Sequence, residues 1–338
     1  MNAALLLILA ASVLGQLPQQ KPTAAKAWNH PSTVSQPAFQ RHNPAEITVP
    51  FEYYKQHIYI AISVDDTPGL IFMLDSGANE NILNLRTARQ LKIKMENIRP
   101  EKNVGFANGG VNVAGELPVR ASVGPIRLAH SMTIMDLSSF ERHFDHPTDG
   151  MLGAPFFYNF VVKMDFQKKL LTVFPAEKFH YRGAGESIKL SANGKAIVLP
   201  VTLGNSKYEN HHTKMEVDTG SNVSLLLYRH CVHPLHLEQS ELKAQTGLGY
   251  GVNGDFACTQ GVIDSLWIGR AETYHIPVDY FEPSQAVHPK CGVAGAIGNE
   301  VLQSFQAVIF DVPHGRLIFE INRPPLLAGV ATPKHSRP

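Results

Sequence analysis

The chain has 338 residues, 44% of them hydrophobic and 17% charged, so it can bury substantial cores, and about two domains are expected. Its net charge of +1 is dispersed apart from a small basic tail (Lys334, His335, Arg337), which excludes a phosphate-tracking stripe and a polybasic membrane patch; no nucleic-acid partner is expected. Twenty-three prolines and 26 glycines, with few long helical periodicities, point to short strands and turns and hence to an all-β class.

The first 15 residues carry an unbroken apolar run (AALLLILAASVL, 3–14) of the length of a signal-peptide core, too short to span a bilayer comfortably. An export signal over 1–15 is expected even though a charged n-region is missing. The location is then periplasmic or secreted, with a membrane tether if the segment is retained and no integral span once it is removed. Residues 16–46, rich in Pro, Gln, Ala and Ser without period, predict a flexible tether or pro-segment.

An alternating strand at 57–64 leads through a turn into an apolar strand that ends in Asp75, followed by Ser76, Gly77 and Ala78. A short helix or coil is expected over 84–91, then a glycine-rich hairpin over 104–110, then further strands. Near 179–186 the run Arg182-Gly183-Ala184-Gly185 breaks the pattern, and the order begins again. A strand over 196–203 precedes Met215-Glu216-Val217-Asp218 and Thr219-Gly220-Ser221, with a helix or coil over 228–237 and a hairpin over 248–254. The expected lobes are 47–180 and 186–323, with a flexible tail over 324–338.

Four landmarks recur at nearly constant spacing. Asp218 lies 143 residues after Asp75, Gly249-Tyr250 lies 144 after Gly105-Phe106, Ala296-Ile297-Gly298 lies 145 after Met151-Leu152-Gly153, and Asp311 lies 146 after Asp165. A drift of one residue per landmark is what small loop insertions produce, so the chain reads as a duplicated unit of about 140 residues.

The repeated turn suits paired-carboxylate chemistry. A glycine after the hydroxyl residue lets two backbones approach and exposes amide N–H groups to the acid. The hydroxyl can bond across to the other turn and fix the separation of the acids. Two close acids hold one proton between them, so one serves as general acid and the other as general base toward water.

At these residues the chain resembles the aspartic proteases of the pepsin and retropepsin superfamily, most of all the exported bacterial relatives in which two retropepsin-like units are fused. The motifs are DSGA (75–78), DTGS (218–221) and the two apolar-apolar-Gly elements, and the resemblance covers roughly 47–323. It implies a bilobal all-β acid-protease fold, two homologous barrel-like lobes with the active-site cleft between them. It also implies an aspartic endopeptidase that takes an extended peptide or protein, without cofactor or metal, and works as a monomer. Carried over by position, Asp75 and Asp218 are the catalytic dyad, Ser76 and Thr219 the cross-lobe grip, and Gly77, Gly220 and Ser221 further support. The flap candidates are Phe106, where pepsin-like flaps carry tyrosine, and Tyr250 in the second unit. Ala78 stands where pepsin-like enzymes have a hydroxyl, whereas Ser221 keeps it. A bond from Ser221 that stabilises ionised Asp218 and leaves the shared proton on Asp75 is therefore expected.

Other motifs are weaker. Gly249-Tyr250-Gly251-Val252-Asn253-Gly254 matches a nucleotide fingerprint but lacks the strand-turn-helix context. His230, Cys231, His233 and His236 fit no recognised closed metal site. Asn222-Val223-Ser224 is a glycosylation triplet placed where a glycan would block the cleft. Cys231, Cys258 and Cys291 allow one disulfide and an odd thiol, in any of three pairings, or three separate thiols. The alternative reading from another class is a catalytically silent peptide- or glycan-binding module on the same scaffold.

Overall fold

The computed structural model describes residues 46–95, 101–104, 110–191, 196–204, 210–237, 245–251, 254–282 and 292–321. The expected signal, nearly all of the expected tether, the tail and Cys291 lie outside the described residues. The chain is mostly β-structure in two lobes, each with its own sheet, joined by a third sheet to which both contribute.

The first lobe grows from tight hairpins. His57–Val64 is flanked by two-residue loops in which both residues take positive φ, Lys55 and Gln56 on one side and Asp65 and Asp66 on the other. Such loops match the right-handed twist of the strands they join. In Thr67–Leu74 the burial rises from exposed at its start to fully buried at Phe72, Met73 and Leu74, so the strand dives into the lobe just before Asp75. It then lies parallel to Gly150–Leu152, in the register Phe72↔Gly150, Met73↔Met151, Leu74↔Leu152.

The first sheet runs Glu52–Tyr54, His57–Val64, Thr67–Leu74, Gly150–Leu152, Ile82–Asn84, Ile126–Met135, Gly110–Val123, Glu101–Val104. His57–Val64 also pairs with Gly110–Val123, so the sheet curls onto itself. The second sheet repeats this order as Val198–Gly204, His211–Val217, Gly295–Ile297, Leu225–Tyr228, Ala271–Phe281, Gly254–Ile268, Gln245–Gly251, with Val198–Gly204 pairing again with Gly254–Ile268. Both parallel contacts recur too, one beside each acid-bearing strand and one beside Ile82–Asn84 and Leu225–Tyr228.

The third sheet is antiparallel throughout, in the order Ile47–Pro50, Leu170–Pro175, Phe160–Asp165, Ala307–Asp311, Arg316–Glu320, Glu186–Lys189. Its central pair joins the repeats, with Val162 opposite Phe310 and Asp165 opposite Ala307. The two recurring acids serve the turns that follow them in different ways: Asp165 accepts from the Lys168 amide at 2.9 Å, and Asp311 pairs with the Arg316 side chain at 2.6 Å. One large apolar cluster runs through this sheet into both lobes, and Phe157 of the first half meets Phe310 of the second at 4.9 Å between ring centroids. Among the described residues, no helix is long and apolar enough to cross a membrane.

Candidate active site

Each acid turn follows a buried strand end and is tied to its own lobe by the apolar-apolar-Gly element. The Asp75 amide donates to the Leu152 carbonyl at 3.0 Å, and the Asp218 amide donates to the Ile297 carbonyl at 2.9 Å. Gly153 and Gly298 pass so close to the neighbouring chain that a Cβ would lie 2.1 Å from the carbonyl oxygens of Glu80 and Val223 respectively. Only glycine permits that approach, which explains why the element recurs with its glycine in both halves.

Between the lobes, the turns grip each other. The Ser76 amide donates to Thr219 Oγ1 at 2.9 Å, the Thr219 amide donates to Ser76 Oγ at 2.9 Å, and Ser76 Oγ–H donates to the Val217 carbonyl at 2.7 Å. All of these groups are buried. Replacing Ser76 by Ala leaves the Thr219 N–H and the Val217 carbonyl unpaired, at about 1–3 kcal/mol for each orphaned group. Urea unfolding of Ser76→Ala is therefore expected to show a lower midpoint at unchanged slope, and an unchanged midpoint would contradict this account of the grip.

Glycine brings the carboxyls together. A Cβ on Gly77 would stand 2.6 Å from Asp218 Oδ1, and one on Gly220 would stand 2.4 Å from Asp75 Oδ1. Asp75 and Asp218 are fully buried, and the Oδ2 atom of each has no hydrogen-bond partner. Burial raises both carboxyls above the ordinary carboxylate range, and for Asp218 the neighbouring charges of Asp75 and Glu216 add to the rise.

The two acids are not equivalent, but not in the expected sense. Ser221 Oγ is buried without a hydrogen-bond partner, so the expected bond that would stabilise ionised Asp218 is not made. Instead Asp75 Oδ1 accepts two amides, Gly77 at 3.1 Å and Ala78 at 3.0 Å, whereas Asp218 Oδ1 accepts one, Gly220 at 2.8 Å. Amide donors favour the ionised form, so Asp75 is the easier of the two carboxyls to ionise.

Two further residues hold the turns and a third couples to the acids electrostatically, and motif reading did not single them out. His57 is fully buried, its Nε2–H donates to the Gly220 carbonyl at 3.1 Å, and burial lowers its pKa to about 3, so the ring is neutral. Asn299 Nδ2 donates to the Thr219 carbonyl at 2.7 Å and to Gln56 at 2.6 Å, a second link between the lobes. Glu216, two residues before Asp218, is a third buried carboxyl close enough to couple to the pair. The signal for Glu216 lay in the repeat itself, since its counterpart in the first half is Met73.

Of the flap candidates, Phe106 lies outside the described residues. Tyr250, on the second-lobe hairpin of Gln245–Gly251 and Gly254–Ile268, crosses to the first lobe. Its ring stacks on His143 at 3.8 Å and 7°, and its hydroxyl bonds to Ser139; both partners lie on the helix Ser138–Phe144. Cys231 is disulfide-bonded and Cys258 is a free buried thiol. Among the described residues no group of three or more His, Cys, Asp or Glu is placed to hold a metal ion.

Comparison with known families finds that residues 60–156 match the model described as aspartyl protease. That segment contains the first acid turn and Met151-Leu152-Gly153. No curated protein matches the chain.

Proposed function

We propose that the protein is an aspartic-type endopeptidase whose dyad is Asp75 and Asp218. The observation that carries this reading is the pair of twin turns that face two buried carboxyls across the lobes, each with a free Oδ2 and each pinned by the other lobe's hydroxyl residue. The family match over 60–156 supports protease chemistry for the first turn.

In this reaction, ionised Asp75 takes a proton from water as the water oxygen bonds to the peptide carbonyl carbon, and Asp218 gives its proton to the carbonyl oxygen. A tetrahedral diol results. Asp75 then passes its proton to the leaving nitrogen, the C–N bond breaks, and a diol hydroxyl returns a proton to Asp218. The dyad is restored with its single proton. An extended substrate lies in the cleft between the lobes, beneath the hairpins, and pairs with them through its backbone.

Because burial lifts both acids, the singly protonated state persists to higher pH than free carboxylates would allow. Cleavage of a denatured protein should follow a bell-shaped pH profile with both limbs displaced upward from the ordinary carboxylate range near 4. Pepstatin should block it. A protein that binds pepstatin without cleaving anything across the pH series would instead be the silent binding module.

A further inference from the structure

We propose that Glu216 makes the second-lobe side of the cleft a subsite for a cationic side chain, lysine or arginine, of the bound peptide. The inference deepens the peptidase reading and rests on it.

Strand alternation sets the direction of this carboxyl. Met215 and Val217 enter the main apolar core, so Glu216 points to the opposite face of His211–Val217. The corresponding face of the first lobe carries Met73 in an apolar cluster that Tyr250 of the other lobe joins at Phe144, which places that face beside the second lobe. The electrostatic coupling of Glu216 to Asp75 and to Tyr158, both in the first half, places it at the same divide.

The neighbours of Glu216 have lost bulk. Met73 sits between Tyr59 and Met151 on the adjoining strands, whereas Glu216 sits between Val198 and Ala296. A carboxyl replaces a thioether, and the large side chains on either side become small ones.

Among the described residues this carboxyl also has no hydrogen-bond or ion-pair partner. It is 6% exposed, and the ionisable groups around it are Asp75, Asp218, Tyr158 and Tyr228. Burial, with the charge of Asp75 added, raises it to about 8. A buried acid among acids is costly to ionise alone, and an ammonium or guanidinium delivered beside it supplies the missing charge.

The test uses fluorogenic octapeptides identical except for lysine or its uncharged isostere norleucine at one position near the scissile bond. Wild type should favour lysine at one such position by about tenfold or more in kcat/KM, the equivalent of about 1.4 kcal/mol. In Glu216→Gln that ratio should fall to near one, and in Glu216→Met, which installs the first-lobe residue, it should invert; a merely structural role would lower both rates in step. The same peptides are titrated by fluorescence anisotropy onto the Asp218→Asn protein. If wild type cleaves none of the peptides but lysine peptides still bind preferentially through Glu216, the hydrolytic reading falls and the subsite stands. No lysine preference in either assay, or a preference that survives in Glu216→Gln, overturns the inference.

Discussion

Asp75→Asn and Asp218→Asn should each lower peptide cleavage by about a thousandfold or more while leaving the protein folded. General acid-base transfer contributes about 10²–10⁴-fold, and each acid takes part in two proton transfers of the reaction. Asn fits the same space, and at position 75 its carbonyl oxygen can still accept the Gly77 and Ala78 amides. Both acids are buried with raised pKa, so their folded forms hold protons that the unfolded chain releases as pH rises above the ordinary carboxylate range. Stability from these groups is thus fully present below that range and is lost as pH climbs through the raised values. The amide variants escape this loss, so their melting temperature at neutral pH should equal or exceed that of wild type. The check is kcat/KM beside a melting curve. Substantial activity in either variant would remove that residue from the dyad.

Gly220→Ala is the other substitution expected to be severe. Its methyl would lie 2.4 Å from Asp75 Oδ1 and 2.5 Å from Asp75 Cγ, far inside contact distance, and Asp75 is held in place by two amides. Something in the dyad must move. A displacement near 1 Å in a reacting group costs about 10² in rate, and the crowding itself costs about 1–3 kcal/mol of stability. Gly292→Ala is the control, since a Cβ there meets nothing within 4 Å and should change neither quantity. Wild-type turnover in Gly220→Ala would mean that the two turns do not need their close approach.

Much of this arrangement was legible because it is written in local pattern. The alternation in 57–64 marks a strand that the fold contains as His57–Val64, and the glycine-rich runs near 104–110 and 248–254 fall at the ends of paired strands. The spacing of the four landmarks anticipated two sheets of the same order. The third sheet was not visible, because periodicity carries no information about which distant strand supplies the partner. Nor did the motif foretell which acid ionises the more easily. That depends on how many amides reach each carboxylate, and Ser221, whose identity invited a bond to Asp218, keeps its hydroxyl to itself. Glu216 does not stand out in the sequence because it lies between apolar Met215 and Val217, and its charge matters only beside Val198 and Ala296.

The central pair of the third sheet has one more implication. Val162 faces Phe310 and Met164 faces Val308, while by the spacing of the repeat Val308 corresponds to Val162 and Phe310 to Met164. Exchanging the halves returns the same set of contacts. This is the self-complementary arithmetic of an isologous interface, in which a surface recognises a copy of itself. Either half alone therefore carries the edge it would need to bind its own twin, and the covalent connection contributes freedom to diverge rather than the ability to associate. A carboxyl where the other half has a thioether and an alanine where it has a methionine are differences that no symmetric pair of identical chains could keep.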